Sequence, residues 1–325
     1  ISTRVMQTLE GLTPRMEIYS IDEAFLDLSG INFCTDLKEF GYECQERVRC
    51  WTGMPVRVGI GPTKTLAKAA SYGAKKYSAT QGVVDLSKLE RQRKLMSIMP
   101  VGEVWGVGSK LRKHLNKMGI TTALELADTD IKLIRRRFSI VLERTVMELR
   151  GYPCIGLEEH PTTKKEIVVS RTFGKKVTTL ESINEAISDY AARAAEKLRH
   201  EKQYCRVVSV FMRTNPFRLQ DQQYSNILSY RLNTPTNDTR DILYATRMLS
   251  KKIYKKGYNF IKAGVMLSDF YDKGIYQSDF FISECKRPKS EKLMETIDKI
   301  NGTGEVKVTF AAQGIKKPWS MQRYL

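Results

Sequence analysis

The stretch Tyr19-Ser20-Ile21-Asp22-Glu23-Ala24-Phe25-Leu26-Asp27-Leu28 sets two adjacent acids, Asp22 and Glu23, inside an otherwise apolar run. Residues 18 to 28 read as strand, turn, strand. Neighbours in a regular strand point to opposite faces, but at a turn or bulge both can reach one site. Two carboxylates at a sheet edge can hold a hard divalent cation, and Mg²⁺ commonly keeps waters and substrate phosphates as its other ligands. A two-ion site of that kind lowers the barrier to phosphoryl transfer. Solvated turns carry such pairs too. The acids need company before they mean chemistry.

Company comes downstream. Residues 59 to 76, beginning Gly59-Ile60-Gly61-Pro62-Thr63-Lys64, follow a strand and open a helix. Lys64 and Lys68 are four apart and share a helix face, and Lys75 lies two turns beyond Lys68 on the same side. A row of ammonium groups there can steady a triphosphate as charge moves onto it. A solvated lysine face is the alternative reading. The stretch is not a Walker loop, because G-x-x-x-x-G-K-[ST] is absent.

The whole chain is basic. Its 325 residues hold 54 Lys and Arg against 36 Asp and Glu, a net charge of +18. An excess spread along the chain points to a polyanionic partner, with nucleic acid ahead of a membrane surface because no basic amphipathic helix stands apart. No apolar run reaches the roughly 18 residues of a membrane span. Six cysteines (34, 44, 50, 154, 205 and 285) form no C-x-x-C, and three histidines lack ligand spacing. These counts imply neither a zinc site nor a disulfide framework, hence a reducing cytoplasmic setting. Any metal must then sit on oxygen ligands.

Pattern divides the chain into four regions, an α+β, multidomain organisation. Residues 1–90 alternate helix and strand around one expected sheet, with strands at 55–60 and 82–86 and helices at 37–51 and 63–71. Residues 91–160 have helical periodicity only, and Thr129 is the expected N-cap of a helix through Arg135-Arg136-Arg137. A polar linker, 158–165, follows. Residues 166–271 read as strand, helix, strand, strand, helix, strand, the order of the split ferredoxin-like unit with two helices on one face. Residues 272–325 begin as a loop, then give a helix at 290–300, an Asn301-Gly302 turn and a strand at 305–310.

Two surfaces suit DNA. Gly106-Val107-Gly108-Ser109-Lys110-Leu111, with Leu115 and Gly119-Ile120, fits a helix-hairpin-helix. Its glycines would allow a tight turn presenting backbone N–H groups to a phosphate. Lys110, Arg112, Lys113 and Lys117 add charge without sequence readout. In the ferredoxin-like unit, Arg171, Lys175, Arg206, Arg213 and Arg231 lie on or beside the strands. Recognition of RNA is the alternative there, although no Gly-Phe-Gly-Phe-like string offers bases a stacking platform.

The string Tyr19 to Asp27, then Val58-Gly59-Ile60-Gly61-Pro62-Thr63-Lys64-Thr65-Leu66-Ala67-Lys68, resembles the Y-family translesion DNA polymerases. Within them it is most similar to the UmuC type, the catalytic subunit of bacterial DNA polymerase V. The similarity runs on through Val104 to Gly108, Gln203 to Arg206, Thr234 to Thr236 and Ala263 to Leu267, nearly the whole chain. It implies that residues 1–90 are palm, 91–160 thumb and 166–271 little finger. It implies Asp22 as a ligand of catalytic Mg²⁺, Glu23 as its catalytic neighbour, and Lys75 on the triphosphate of an incoming dNTP, with Lys68 as a second nucleotide-binding lysine. The expected function is error-prone, Mg²⁺-dependent nucleotidyl transfer to a primer 3′ end on damaged templates, in the cytoplasm as part of the SOS response. The family's palm opens with a further aspartate-bearing strand that these residues do not include, so the 325 residues alone are expected not to extend a primer. The alternative is a non-catalytic DNA- and sliding-clamp-binding fragment. A metal-dependent nuclease would need further acidic or histidine ligands. Gln277, Phe280 and Phe281 resemble the sliding-clamp-binding peptide, and residues 282–325, with Lys286-Arg287-Pro288-Lys289 and Lys316-Lys317, lie where a UmuD′-like regulatory subunit is expected to engage.

Overall fold

The structure, a computed structural model, describes residues 1–30, 36–158, 163–273, 275, 289–304 and 306–321. It divides into two units, Ile1–Pro161 and Thr162–Leu325.

The first unit opens with α1 (Ser2–Glu10) and a hairpin of β1 (Met16–Ile18) and β2 (Ala24–Leu26). Next come α2 (Leu37–Thr52), β3 (Val58–Ile60), α3 (Lys64–Lys76) and β4 (Val83–Asp85). Five helices complete it: α4 (Leu89–Ile98), α5 (Ser109–Lys117), α6 (Ala123–Asp128), α7 (Ile131–Arg137) and α8 (Ile140–Leu149). Local chemistry sets the ends. The Asp36 carboxylate caps α2 by accepting from the amides of Lys38 and Glu39, and Gly53 closes it at φ 71°. Thr63 caps α3 by accepting from Leu66 N.

Gly59 and Gly61 explain how β3 meets α3. A Cβ on Gly59 would lie 2.2 Å from Ser71 N and 2.4 Å from Ala67 O; one on Gly61 would lie 2.9 Å from Ala67 N. Strand and helix touch backbone to backbone, and any side chain would push them apart.

The expected single sheet is two separate ladders among the described residues, antiparallel β1–β2 and parallel β3–β4. The hairpin joins the rest through side chains instead: Glu17 pairs with Lys64 and Glu23 with Lys68, both lysines on α3. No break in packing marks residue 90 either. One core runs from Leu66, Ala69 and Ala70 of α3 through Leu95 and Met96 to Val146 and Leu149 of α8. The expected Thr129 cap is corrected to Asp130, which accepts from Lys132 N, because the Thr129 hydroxyl already donates to Glu125 O and closes α6.

The second unit contains β5 (Glu166–Val177), α9 (Leu180–His200), β6 (Gln203–Thr214), β7 (Ser225–Thr236), α10 (Thr239–Ile253), β8 (Phe260–Asp272) and α11 (Ser290–Thr303). The order βαββαβ is as expected, and the sheet runs β5-β8-β6-β7 with every pair antiparallel. Strand β8 therefore fills the split between parallel β5 and β6. Val208, Val210 and Met212 of β6 and Ala263, Val265 and Leu267 of β8 pack with the apolar faces of α9 and α10 in one core. The opposite sheet face stays open.

Beyond α11 the expected turn and strand are not found. Asn301 and Gly302 lie inside the helix, and residues 306–310 are not strand. The physical reason is a side chain standing in for a partner strand. The Asn301 carboxamide donates to Val308 O and accepts from Val308 N, so it takes both backbone groups that a ladder would use.

Candidate active site and nucleic-acid surfaces

The β1–β2 register pairs Met16 with Leu26, Glu17 with Phe25 and Ile18 with Ala24, leaving residues 19–23 as the connecting loop. Tyr19 N and Ser20 N both donate to Glu23 O, which closes it. Asp22 and Glu23 thus stand at the exposed end of the hairpin. Asp22 accepts from the Ser20 hydroxyl, and Glu23 forms an ion pair with Lys68. Among the described residues no group of three or more acidic, histidine or cysteine side chains forms a ready-made metal site. What the loop offers is two hard oxygen donors and a lysine, a set that suits Mg²⁺ and phosphate. Asp27 lies outside this set. Its carboxyl is held below the ordinary value, first by the hydrogen bonds from Ser29 and also by Arg15.

The three lysines of α3 have three different environments. Lys64 is buried and paired with buried Glu17, donates to Gly156 O and sits 5.0 Å from the Phe25 ring centroid. It is a structural cation, so its expected place in a triphosphate row is withdrawn. Lys68 pairs with Glu23 and lies 5.5 Å from the Tyr19 ring. Lys75 is exposed and has no ion pair among the described residues, about 10 Å along the helix from Lys68 by the helical rise.

Residues to which the sequence reading gave no role hold this hairpin. Trp105 Nε1 donates to the Tyr19 hydroxyl, and Tyr19, Phe25 and Trp105 pack ring on ring with centroids 5.6 to 5.8 Å apart. Glu148 is fully buried; its Oε2 accepts from Thr65 N and Oγ1, and its Oε1 from Cys154 N and Ile155 N. The available signal for Glu17 and Glu148 was an acid inside an apolar run, Met16-Glu17-Ile18 and Met147-Glu148-Leu149.

In the helix-hairpin-helix stretch, Gly106 has φ 88° and Gly119 φ 82°, as the tight turns require, whereas Gly108 has φ −78°. Gly108 is therefore not a turn glycine but the residue capping α5, with nothing within 4 Å of its Cβ position. Ser109 and Lys110 begin the helix, and Lys110 and Lys113 are exposed and carry no ion pair among the described residues.

On the sheet unit the register sorts the arginines. The open face carries Val207, Ser209, Phe211 and Arg213 of β6, and by pairing Arg231 of β7, Lys262, Gly264 and Met266 of β8, and Ser170 and Thr172 of β5. Arg171, expected on or beside the strands, pairs with core-facing Ala263, so alternation puts it in the helix-side row. Arg206 is turned onto the carbonyls of Leu232 and Asn233 beside a register shift. Arg231 lies 3.6 Å from Asp269. Arg213 and Lys262 are register partners and neither has an acidic partner among the described residues. Like charges directly opposite repel, so this pair marks where an anion would be welcome; Lys262 was not singled out in the sequence.

Gln277, Phe280 and Phe281 lie outside the described residues. Downstream, Trp319 is buried and Lys317 pairs with buried Asp189 of α9, so neither is displayed for a partner. No helix is long and apolar enough to cross a membrane among the described residues.

The impB/mucB/samB family pattern matches residues 1–72, that family's C-terminal domain matches 164–280, and a domain of unknown function matches 291–325. The chain is 50% identical to protein UmuC of Salmonella typhimurium over 325 residues, covering 99% of this chain and 77% of that protein. It is 47% identical to protein MucB of Escherichia coli, covering 100% and 77%, and 29% identical to DNA polymerase IV 2 of Bacillus subtilis, covering 96% and 74%. A solved Y-family DNA polymerase chimera matches with a TM-score of 0.58 at 18% identity over 83% of this chain and 75% of that one, a likeness of fold. The chain belongs to the impB/mucB/samB family, the UmuC branch of the Y-family DNA polymerases.

Proposed function

We propose that this protein carries out template-directed nucleotidyl transfer to a primer 3′ end during translesion synthesis, with Asp22 and Glu23 as its metal-side carboxylates. The observation that carries the reading is the hairpin end, where both acids stand exposed and Glu23 pairs with Lys68. Mg²⁺, when bound, would neutralise phosphate charge and favour attack by the primer hydroxyl. Asp22, engaged among the described residues by the Ser20 hydroxyl alone, is the side chain ready to take it. Glu23 is balanced by Lys68, and an arriving triphosphate would compete for that ammonium, releasing Glu23 toward the cation. Lys75 would add a second positive charge along the same helix. A direct test is incorporation by the intact protein. Mg²⁺-dependent addition of the templated nucleotide supports the reading, and strand cleavage without incorporation would replace it with a nuclease.

Duplex DNA would lie against basic surfaces in both units: Lys110 and Lys113 at the start of α5, and Arg213 and Lys262 on the open sheet face. Each phosphate contact contributes about 0.9 to the slope of log affinity against log salt. Arg213→Ala with Lys262→Ala is expected to flatten that slope by roughly 2 and weaken binding about equally across sequences. Fluorescence anisotropy from 50 to 300 mM salt measures it, and an unchanged slope removes the sheet face from the interface. A sliding clamp at Gln277, Phe280 and Phe281 rests on the sequence motif alone. A UmuD′-like subunit would have to use C-terminal residues other than Lys317 and Trp319.

A further inference from the structure

Residues 310–321, within the segment that matches a domain of unknown function, cross α9 and the edge strand β5. Trp319 is 5% exposed and packs edge-on against Tyr190 and Phe173, with ring centroids 5.8 and 6.2 Å away. Gly174 N donates to Trp319 O at 3.0 Å. That amide is available because β5 leaves its ladder with β8 between Thr172 and Val177. The approach is close: a Cβ on Gly174 would lie 2.9 Å from Ser320 O and 3.0 Å from Met321 Cα. Gln313 and Lys317 both donate to Asp189, whose side chain is 3% exposed and also meets Arg193 at 3.3 Å. A second close approach lies at Gly314, with φ 66°, where a Cβ would meet the Glu185 carboxyl at 2.8 Å.

An aspartate within the apolar face of a 21-residue helix has no place in a two-layer domain. Arg193, one turn along the same helix, supplies one cation, and the other comes from elsewhere: Lys317 is 128 residues away in sequence and reaches Asp189 because the C-terminal segment is laid across the helix. The edge of β5 is likewise covered where it would otherwise present the Gly174 amide, and the Phe173 ring of β5 and the Tyr190 ring of α9 are covered with it.

We propose that residues 310–321 are a peptide clasp, and that Phe173, Gly174, Glu185, Asp189 and Tyr190 form a dedicated docking site that binds it in cis. The segment of unknown function is on this account a part of the sheet domain that binds back onto it, with recognition by an anchored tryptophan, a buried carboxylate for a lysine and a glycine that admits the passing backbone. The site recognises the peptide itself and would accept it as a separate molecule.

Gly174→Ala separates this from a general packing role, because the three heavy atoms nearest its added methyl all belong to the clasp backbone. In the intact protein, trypsin is expected to cut after Lys316 at least tenfold faster in Gly174→Ala than in the wild type, read by mass spectrometry. A Trp319→Ala protein, its own clasp weakened, is expected to bind a fluorescein-labelled peptide of residues 306–321, and the Gly174→Ala/Trp319→Ala protein to bind it at least tenfold more weakly. Cleavage after Lys316 unchanged within twofold in Gly174→Ala, or equal or absent peptide binding by both folded proteins, overturns the proposal. Should Trp319→Ala fail to fold, the Gly174→Ala cleavage rate decides alone.

Discussion

Asp22→Ala is expected to lower Mg²⁺-dependent primer extension by the intact protein by about 10²-fold or more, the scale seen when one preorganised charge is removed from a developing transition state. Folding should be nearly unaffected, because Asp22 is exposed and its one side-chain partner among the described residues is Ser20, two residues away. Glu23→Ala should behave differently. It also leaves Lys68 without its partner, so loss of activity should come with altered dNTP affinity. Single-turnover incorporation, with Mn²⁺ binding followed by electron paramagnetic resonance, separates loss of the metal from loss of the nucleotide. If Asp22→Ala incorporates nucleotides within threefold of the wild type, the carboxylate is not at the reacting centre and the proposed function loses its site.

Glu148→Ala is expected to be the most damaging single change to stability, about 3–5 kcal/mol by analogy with breaking buried charged networks. Both carboxylate oxygens are engaged, one by the first turn of α3 and the other by the chain just after α8. Deleting them leaves three backbone amides and a hydroxyl inside the protein without acceptors. Glu148→Gln should also destabilise, by about 1–3 kcal/mol, because its NH₂ must face N–H donors on one side or the other. Urea denaturation of the first unit, with the m-value held constant, measures both. A loss below about 1 kcal/mol for Glu148→Ala would mean that water replaces the carboxylate at little cost. Because α3 carries Lys68, the same variant should also loosen the Glu23 pairing.

Much of the architecture was legible in the residues. The βαββαβ order emerged from periodicity because each strand and helix of the second unit is amphipathic over its own length. The hairpin emerged because its apolar strands flank a polar turn. The misses have local causes of one kind. Thr129 and Asp130 are both good caps, and only the engagement of the Thr129 hydroxyl by Glu125 decided between them. The run at 305–310 has strand composition, but the Asn301 side chain supplies the hydrogen bonds that a neighbouring strand would have supplied. Arg171 and Arg213 look alike in sequence, and their opposite faces follow from ladder register.

By itself the sequence determined the order of elements, the adjacency of Asp22 and Glu23, the lysine spacing on α3 and the positive charge of the chain. Those properties are set by residues within a few positions of one another. Only tertiary structure decided that Lys64 is a buried counterion to Glu17 across 47 residues, that Glu148 anchors Thr65 across 83, and that Lys317 closes over Asp189 across 128. A lysine in water and a lysine against a buried carboxylate have the same spacing in a helix. What separates them is desolvation, and desolvation is settled by which distant segments pack together.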